Sequence, residues 1–99
     1  MNNFNLCPSK RARKQLKQLK SISKTRREGI YTFLGKLKSN PSSRAVGAKP
    51  TPVIGEDCFS KDISRGDRIV YRIVWSTKTV IIYSVLGHYC DNGGRLFKG

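Results

Sequence analysis

Between residues 3 and 7 polar and apolar side chains alternate, with Phe4 and Leu6 on one side, the two-residue period of a strand. Pro8 and Ser9 interrupt it, and Ser9 is a residue type that caps helices. The period then changes. Ala12, Leu16 and Leu19 recur at helical spacing among Lys, Arg and Gln, which predicts an amphipathic helix with a narrow apolar stripe and a basic back. The polar segment 21–24 is a predicted turn. Thr25 and Glu28 have the spacing of a capping box, and Ile30, Phe33, Leu34 and Leu37 follow the i, i+3, i+4, i+7 pattern of a second helix. Ser39-Asn40-Pro41 is its predicted stop.

Residues 40–55 contain Pro41, Pro50, Pro52, Gly47 and Gly55 and read as a loop, one long enough to suggest a functional role. Three strands are predicted beyond it. Residues 58–63 form a short one. Residues 68–75 put Ile69, Tyr71, Ile73 and Trp75 on one face and Arg68, Val70, Arg72 and Val74 on the other. Residues 79–88 are apolar on both parities, as in a central strand buried on both sides. Ser76-Thr77-Lys78 is the turn between the last two. Asp91-Asn92-Gly93-Gly94 breaks the pattern, and residues 90–99 read as a flexible carboxy-terminal extension. The predicted fold is α+β in the order β-α-α-β-β-β, with a two-helix hairpin on one face of a small antiparallel sheet. The other face, or the rim at Arg68 and His88, is left for a ligand. Tyr71, Tyr83 and Trp75 read as core.

Length and charge narrow the picture. Ninety-nine residues make a single domain with one modest core. The 20 Lys and Arg against 6 Asp and Glu give a net charge of +14, which favours polyanionic partners. Residues 1–49 hold 13 basic side chains and one acid, Glu28, so most of the charge sits in the amino-terminal half. The nine basic residues between 10 and 27 run with no acid among them. Lys10, Arg11, Arg13, Lys14 and Lys17 are therefore candidate phosphate contacts, against the plainer alternative of a solvated helix face. Cys7, Cys58 and Cys90 are widely spaced, with no Cys-x-x-Cys pair and one histidine, which points to free thiols and no metal site. The first ten residues lack the apolar run of a signal peptide, and the longest apolar stretch, 80–86, is far below the ~20 residues of a membrane span. A cytoplasmic protein with no membrane association is the expectation.

Chemistry concentrates on few side chains. A tight hairpin at 76–78 brings Arg68 and the His88-Tyr89 pair toward one end of the sheet, with a two-residue mismatch that a bulge or register offset absorbs. An arginine can neutralise the extra charge of a phosphorane, and a histidine can exchange a proton near neutral pH. Tyr89 can stack on a base or orient the phosphate. Together they suit cleavage of RNA by attack of its own 2′-hydroxyl. The alternatives are a surface histidine and an ion pair of Arg68 with Asp62 or Asp67.

The strings F-S-K-D-I-S-R-G-D-R-I-V-Y-R-I and I-I-Y-S-V-L-G-H-Y, with K-P-T-P at 49–52, resemble the Txe/YoeB branch of the RelE-like toxins of bacterial toxin–antitoxin modules. The resemblance spans most of residues 3–89. It implies a ribosome-dependent endoribonuclease that cuts mRNA and inhibits translation, without metal or other cofactor. It also implies an acidic antitoxin of the YefM/Phd type and a frequent homodimer. By position it makes Arg68 the phosphate-stabilising arginine, His88 the general acid and Tyr89 the adjoining tyrosine, and it puts Lys49 in a basic loop that approaches RNA. Arg65 and Arg72 complete the candidate RNA contacts. This chain departs from the family pattern in two places. Thr51 stands where the family has its glutamate base, which leaves Glu56 or Asp57 as carboxylates nearby, with Glu56 the candidate. The chain also continues ten residues beyond the His-Tyr pair. The second reading is a basic RNA- or ribosome-binding protein without catalysis, and the third is a charge that serves only an acidic partner.

Overall fold

The change of period at Pro8 marks the passage from strand to helix. The computed structural model describes residues 3–64 and 66–87. β1 (Asn5–Pro8) leads into α1 (Lys10–Gln18), a short 3-10 turn at Leu19–Ser21, and α2 (Lys24–Ser39). α3 (Ser43–Val46), β2 (Lys49–Pro50), β3 (Cys58–Ser64), β4 (Asp67–Val74) and β5 (Thr79–Ser84) follow, with a second 3-10 turn at Trp75–Thr77.

Capping chemistry sets the helix starts. The Ser9 hydroxyl accepts from the Ala12 amide at 3.1 Å, as its position before the basic run predicts. α2 begins two residues earlier than the Thr25–Glu28 pattern implies. Ser23 caps it by accepting from the Arg26 amide, so the third helical position holds an arginine and there is no capping box. The 40–55 segment also has more order than its prolines suggest. α3 is capped by Ser42 and closed by Gly47 in the left-handed region, at φ 71°, and β2 pairs with β3.

The sheet order is β1-β5-β4-β3-β2. β2 to β5 run antiparallel, as expected of strands joined by short connections, but β1 lies parallel to β5, with Asn5 opposite Thr79 and Pro8 opposite Ile82. The whole helical hairpin intervenes between β1 and the rest of the sheet, and a crossover of that length permits parallel pairing. The fold class is thus α+β, with a mixed sheet where a fully antiparallel one was expected. Both helices cover one face. Ala12, Leu19, Ile30, Phe33 and Leu37 pack on Ile69, Tyr71, Ile73, Val80 and Ile82 in a single core. β5 alternates between buried and half-buried positions, which corrects the expectation of a strand buried on both sides. Trp75 is half exposed at the hairpin tip, where its edge meets the Phe4 ring at 5.7 Å.

Gly29 governs how closely α2 approaches β3, because a Cβ built there would lie 2.9 Å from Ile63 Cγ2. Gly35, on the same helix, has open space around it. Gly29→Ala is expected to lose about 1–2 kcal/mol of stability to overpacking despite its better helix propensity. Gly35→Ala is expected to gain about 0.5–1 kcal/mol. Urea unfolding of both variants checks the contrast, and equal effects at the two positions would contradict it.

Candidate functional site

Strand alternation turns Arg68, Val70, Arg72 and Val74 away from the helices. Their β3 partners Cys58, Ser60 and Asp62 share that open face, with Cys58 opposite Arg72, Ser60 opposite Val70 and Asp62 opposite Arg68. Val70, Cys58 and Ser60 are buried, yet none belongs to the helix-side core, so they form a separate floor. Lys49 of β2 pairs with Ser60 and adds an exposed cation. A shallow depression lined by Gly47, Lys49, Ser60, Lys61 and Asp62 borders this edge.

Arg68 is mostly covered, and its Nε donates to Asp62 Oδ1 at 2.7 Å. Of the two carboxylates near it in sequence, Asp62 is therefore the partner. Asp67 has a different role. Its side chain is fully buried, and the Arg26 fork from the first turn of α2 donates to both of its oxygens at 2.8 Å. Ser64 Oγ donates to Oδ2 at 2.9 Å and the Gly87 amide to Oδ1 at 3.3 Å. The Arg26 hydrogen bond, opposed by burial and aided by Ser64 and Gly87, lowers the Asp67 pKa from 3.8 to about 2. The Arg68 amide in turn donates to the Gly87 carbonyl at 3.0 Å. One buried carboxylate thus ties α2, the end of β3 and the chain at Gly87 to the start of β4.

At the other end of the face, the Tyr83 side chain raises the Arg72 pKa, and the charges of Cys58 and Asp57 act in the same sense. Burial pushes the Cys58 thiol up, with Arg72 opposing and Asp57 adding to the shift. Between the two arginines, Thr51 Oγ1 donates to Ser60 Oγ at 2.9 Å.

Of the residues singled out from the sequence, Arg68, Arg72 and Lys49 share the open face. Glu56 is exposed in the turn before Cys58, on the Arg72 side. That is at least four strand residues, or about 13 Å, from the Arg68 row, so the register does not bring it to Arg68. Lys10, Arg11, Arg13, Lys14 and Lys17 line the exposed side of α1, on the helix layer and hence on the opposite side of the sheet. His88, Tyr89 and Arg65, together with the extension 90–99, lie outside the described residues. Among the described residues no cluster of His, Cys, Asp or Glu could hold a metal ion, and no helix is long and apolar enough to cross a membrane.

No protein-family model matches the sequence, and no curated protein matches it. Solved structures do match in shape. A YoeB/ParE toxin from Agrobacterium tumefaciens superposes with a TM-score of 0.75 at 17% identity, over 87% of this chain and 100% of that one. A YoeB dimer from Staphylococcus aureus gives 0.73 at 19%, over 88% and 99%. The intact E. coli RelBE toxin–antitoxin complex gives 0.67 at 24%, over 86% and 96%.

The chain has the YoeB/RelE toxin fold.

At these identities the likeness concerns architecture, and the site must be argued from its own residues. Within this YoeB/RelE fold, sequence reasoning missed three of them. Gln15 looks like part of the polar back of α1, but its Oε1 accepts from the Val85 amide at 2.7 Å and the Leu86 amide at 3.3 Å, and its Nε2 donates to Leu86 O at 3.3 Å. Arg26 looks like one more cation in a basic run. Its signal was the acid at Asp67, which opens a buried strand and so needs a partner, but 41 residues separate them. Tyr83 looks like core but lies half-buried on the open face beside Arg72.

Proposed function

We propose that this protein is the toxin of a toxin–antitoxin module and a metal-independent, ribosome-dependent mRNA interferase acting in the cytoplasm. The observation that carries this reading is the hydrogen bond from the Arg68 amide to the Gly87 carbonyl, because Gly87 is bonded directly to His88. In this proposal the Arg68 guanidinium and the His88 imidazole act together on one scissile phosphate. In the reaction the 2′-hydroxyl gives its proton to solvent water and its oxygen bonds to the adjacent phosphorus. The P–O5′ bond breaks, giving a 2′,3′-cyclic phosphate and a 5′-hydroxyl. Arg68 stabilises the added charge on the phosphorane, His88 protonates the leaving 5′-oxygen, and Tyr89 orients the nucleotide. Lys10, Arg11, Arg13, Lys14, Lys17, Lys49 and Arg65 contribute phosphate contacts to the mRNA or the ribosome.

Occupation of Arg68 by Asp62 is compatible with this role. Arg68 is mostly covered but the Asp62 side chain is about half exposed, so the carboxylate can swing into solvent and a substrate phosphate can take its place. The partner that neutralises the toxin is an acidic antitoxin, in keeping with the YoeB-YefM and RelBE complexes among the structural neighbours, and a homodimer is in keeping with the YoeB dimer.

Primer extension on mRNA incubated with ribosomes and the purified protein tests the reading. Wild type is expected to give discrete stops at fragments ending in a 2′,3′-cyclic phosphate. Thr51→Val and Glu56→Gln are each expected to keep cleavage within about threefold of wild type. A threonine hydroxyl is a poor base, and Glu56 stands on the Arg72 side of the face. A hundredfold loss in Glu56→Gln would make that carboxylate the base after all. Salt-sensitive RNA binding without cleavage products would favour the non-catalytic reading, which Thr51 in the family's glutamate position motivates.

A further inference from the structure

We propose that Tyr83 and Arg72 form a second nucleotide subsite on the open face, in which the Tyr83 ring stacks on a base of single-stranded RNA and Arg72 holds an adjoining phosphate. The inference rests on the RNA-directed reading above only for the identity of the polymer. It begins with a break in the β4–β5 register. Tyr71 pairs with Ile82 but Val70 pairs with Ser84, so β5 carries one residue more than β4 and Tyr83 is the extra one. The alternation of β5 runs unbroken from Thr79 to Ser84, so Tyr83 shares the open face with Ile81, the partner of Arg72, and the bulge lies beside it; bulges are frequent next to functional sites. This one is anchored, because Ser9 Oγ, at the cap of α1, donates to the Tyr83 carbonyl at 3.2 Å.

The Tyr83 ring stands apart from the helix-side core, two residues along β5 from Ile81, which faces Arg72, and the Tyr83 side chain is the main cause of an upward shift in the Arg72 pKa. An arginine has five N–H donors to share between a phenol and a phosphate. Arg72 also keeps its charge on this floor. The neighbouring Cys58 thiol is pushed upward by burial and so stays neutral at neutral pH. Gly55 leaves room above the pair. It adopts φ 148°, and a Cβ added to it would come within 4.0 Å of Arg72 Nη2 and 3.7 Å of Cys58 Sγ. Arg68 lies four residues along the same strand and face, about 13 Å away, and Tyr83 occupies the row between the two arginines. An aromatic face between two guanidinium groups matches the alternation of base and phosphate in a single strand.

The test is binding of the full chain to a fluorescein-labelled hexaribonucleotide and to an abasic ribose-phosphate hexamer, read by anisotropy at 50 mM salt. Wild type is expected to prefer the base-containing hexamer by about 5- to 150-fold, the range of one stacked base. Tyr83→Leu is expected to abolish that preference, Tyr83→Phe to keep it, and Arg72→Gln to weaken both ligands alike. A 5-bromouridine hexamer irradiated with wild type is expected to crosslink at Tyr83, which removes any dependence on a variant's folding. The proposal is overturned by a wild type without preference, by a preference that survives Tyr83→Leu, by equal loss in Tyr83→Phe, or by a crosslink elsewhere. None of these readouts needs cleavage. A protein that shows the preference but cuts no mRNA refutes the nuclease and leaves the subsite standing.

Discussion

Replacing Arg26 with alanine is expected to lower the free energy of unfolding by about 3 kcal/mol. The reason lies in what remains. Asp67 is fully buried, and without Arg26 only neutral groups, Ser64 Oγ and the Gly87 amide, still donate to its carboxylate. Stranding one ion of a buried pair costs about 3–5 kcal/mol. The lower end applies because Arg26 itself is 42% exposed and water can follow its removal. The depression of the Asp67 pKa from 3.8 to about 2 gives an independent figure of about 2 kcal/mol at neutral pH.

The same shift fixes the pH dependence. A carboxyl whose folded pKa is depressed binds fewer protons in the folded than in the unfolded chain. Its stabilisation is therefore complete above the unfolded value of 3.8 and is lost as the pH falls through about 2. The gap between wild type and Arg26→Ala should be constant from pH 7 to about 5 and should narrow below pH 4. Urea unfolding followed by the fluorescence of Trp75 measures it. A gap below 1 kcal/mol at pH 7, or one that widens in acid, would contradict the assigned pair.

The second large effect concerns the reaction. Arg68→Ala and His88→Gln are each expected to slow ribosome-dependent mRNA cleavage by about 10²- to 10³-fold, with the protein still folded. Loss of one preorganised donor to a developing oxyanion costs about that factor, and loss of a general acid costs a similar one. The variants should differ in their pH profiles. His88→Gln is expected to change the shape of the pH profile, whereas Arg68→Ala lowers the rate at every pH and keeps that shape. Single-turnover cleavage against pH, with circular dichroism on each variant, distinguishes the two. Cleavage at the wild-type rate in either variant would remove that residue from the proposed chemistry.

The two predictions meet at Gly87. Its amide is held by Asp67 and its carbonyl by Arg68, so the ion pair that stabilises the fold also sets the chain leading to His88. Arg26→Ala is therefore expected to lower cleavage even at temperatures where it is fully folded.

Much of this molecule follows from short-range pattern. The three-to-four-residue recurrence of Ile30, Phe33 and Leu37 defined α2, and the alternation of Ile69, Tyr71 and Ile73 defined the buried side of β4, because those periods are properties of the local backbone. The face that carries Arg68 and Arg72 follows from the same alternation, as does the charge of the amino-terminal half. The two-residue mismatch between Arg68 and His88 around the hairpin is one that a bulge or register offset can absorb; β5 carries a one-residue bulge, and His88 lies outside the described residues. Other features required the folded chain. Whether β1 joins the sheet parallel or antiparallel depends on how the helical hairpin crosses over it. Which acid takes which arginine depends on contacts across 41 residues for Arg26 and Asp67, where every basic residue of the run looks alike. The bulge beside Tyr83 is a matter of register, decided by how the strands align across the sheet. Periodicity reports on neighbours along the chain, whereas ion pairing, register and strand direction are settled by groups that meet only when the sheet closes.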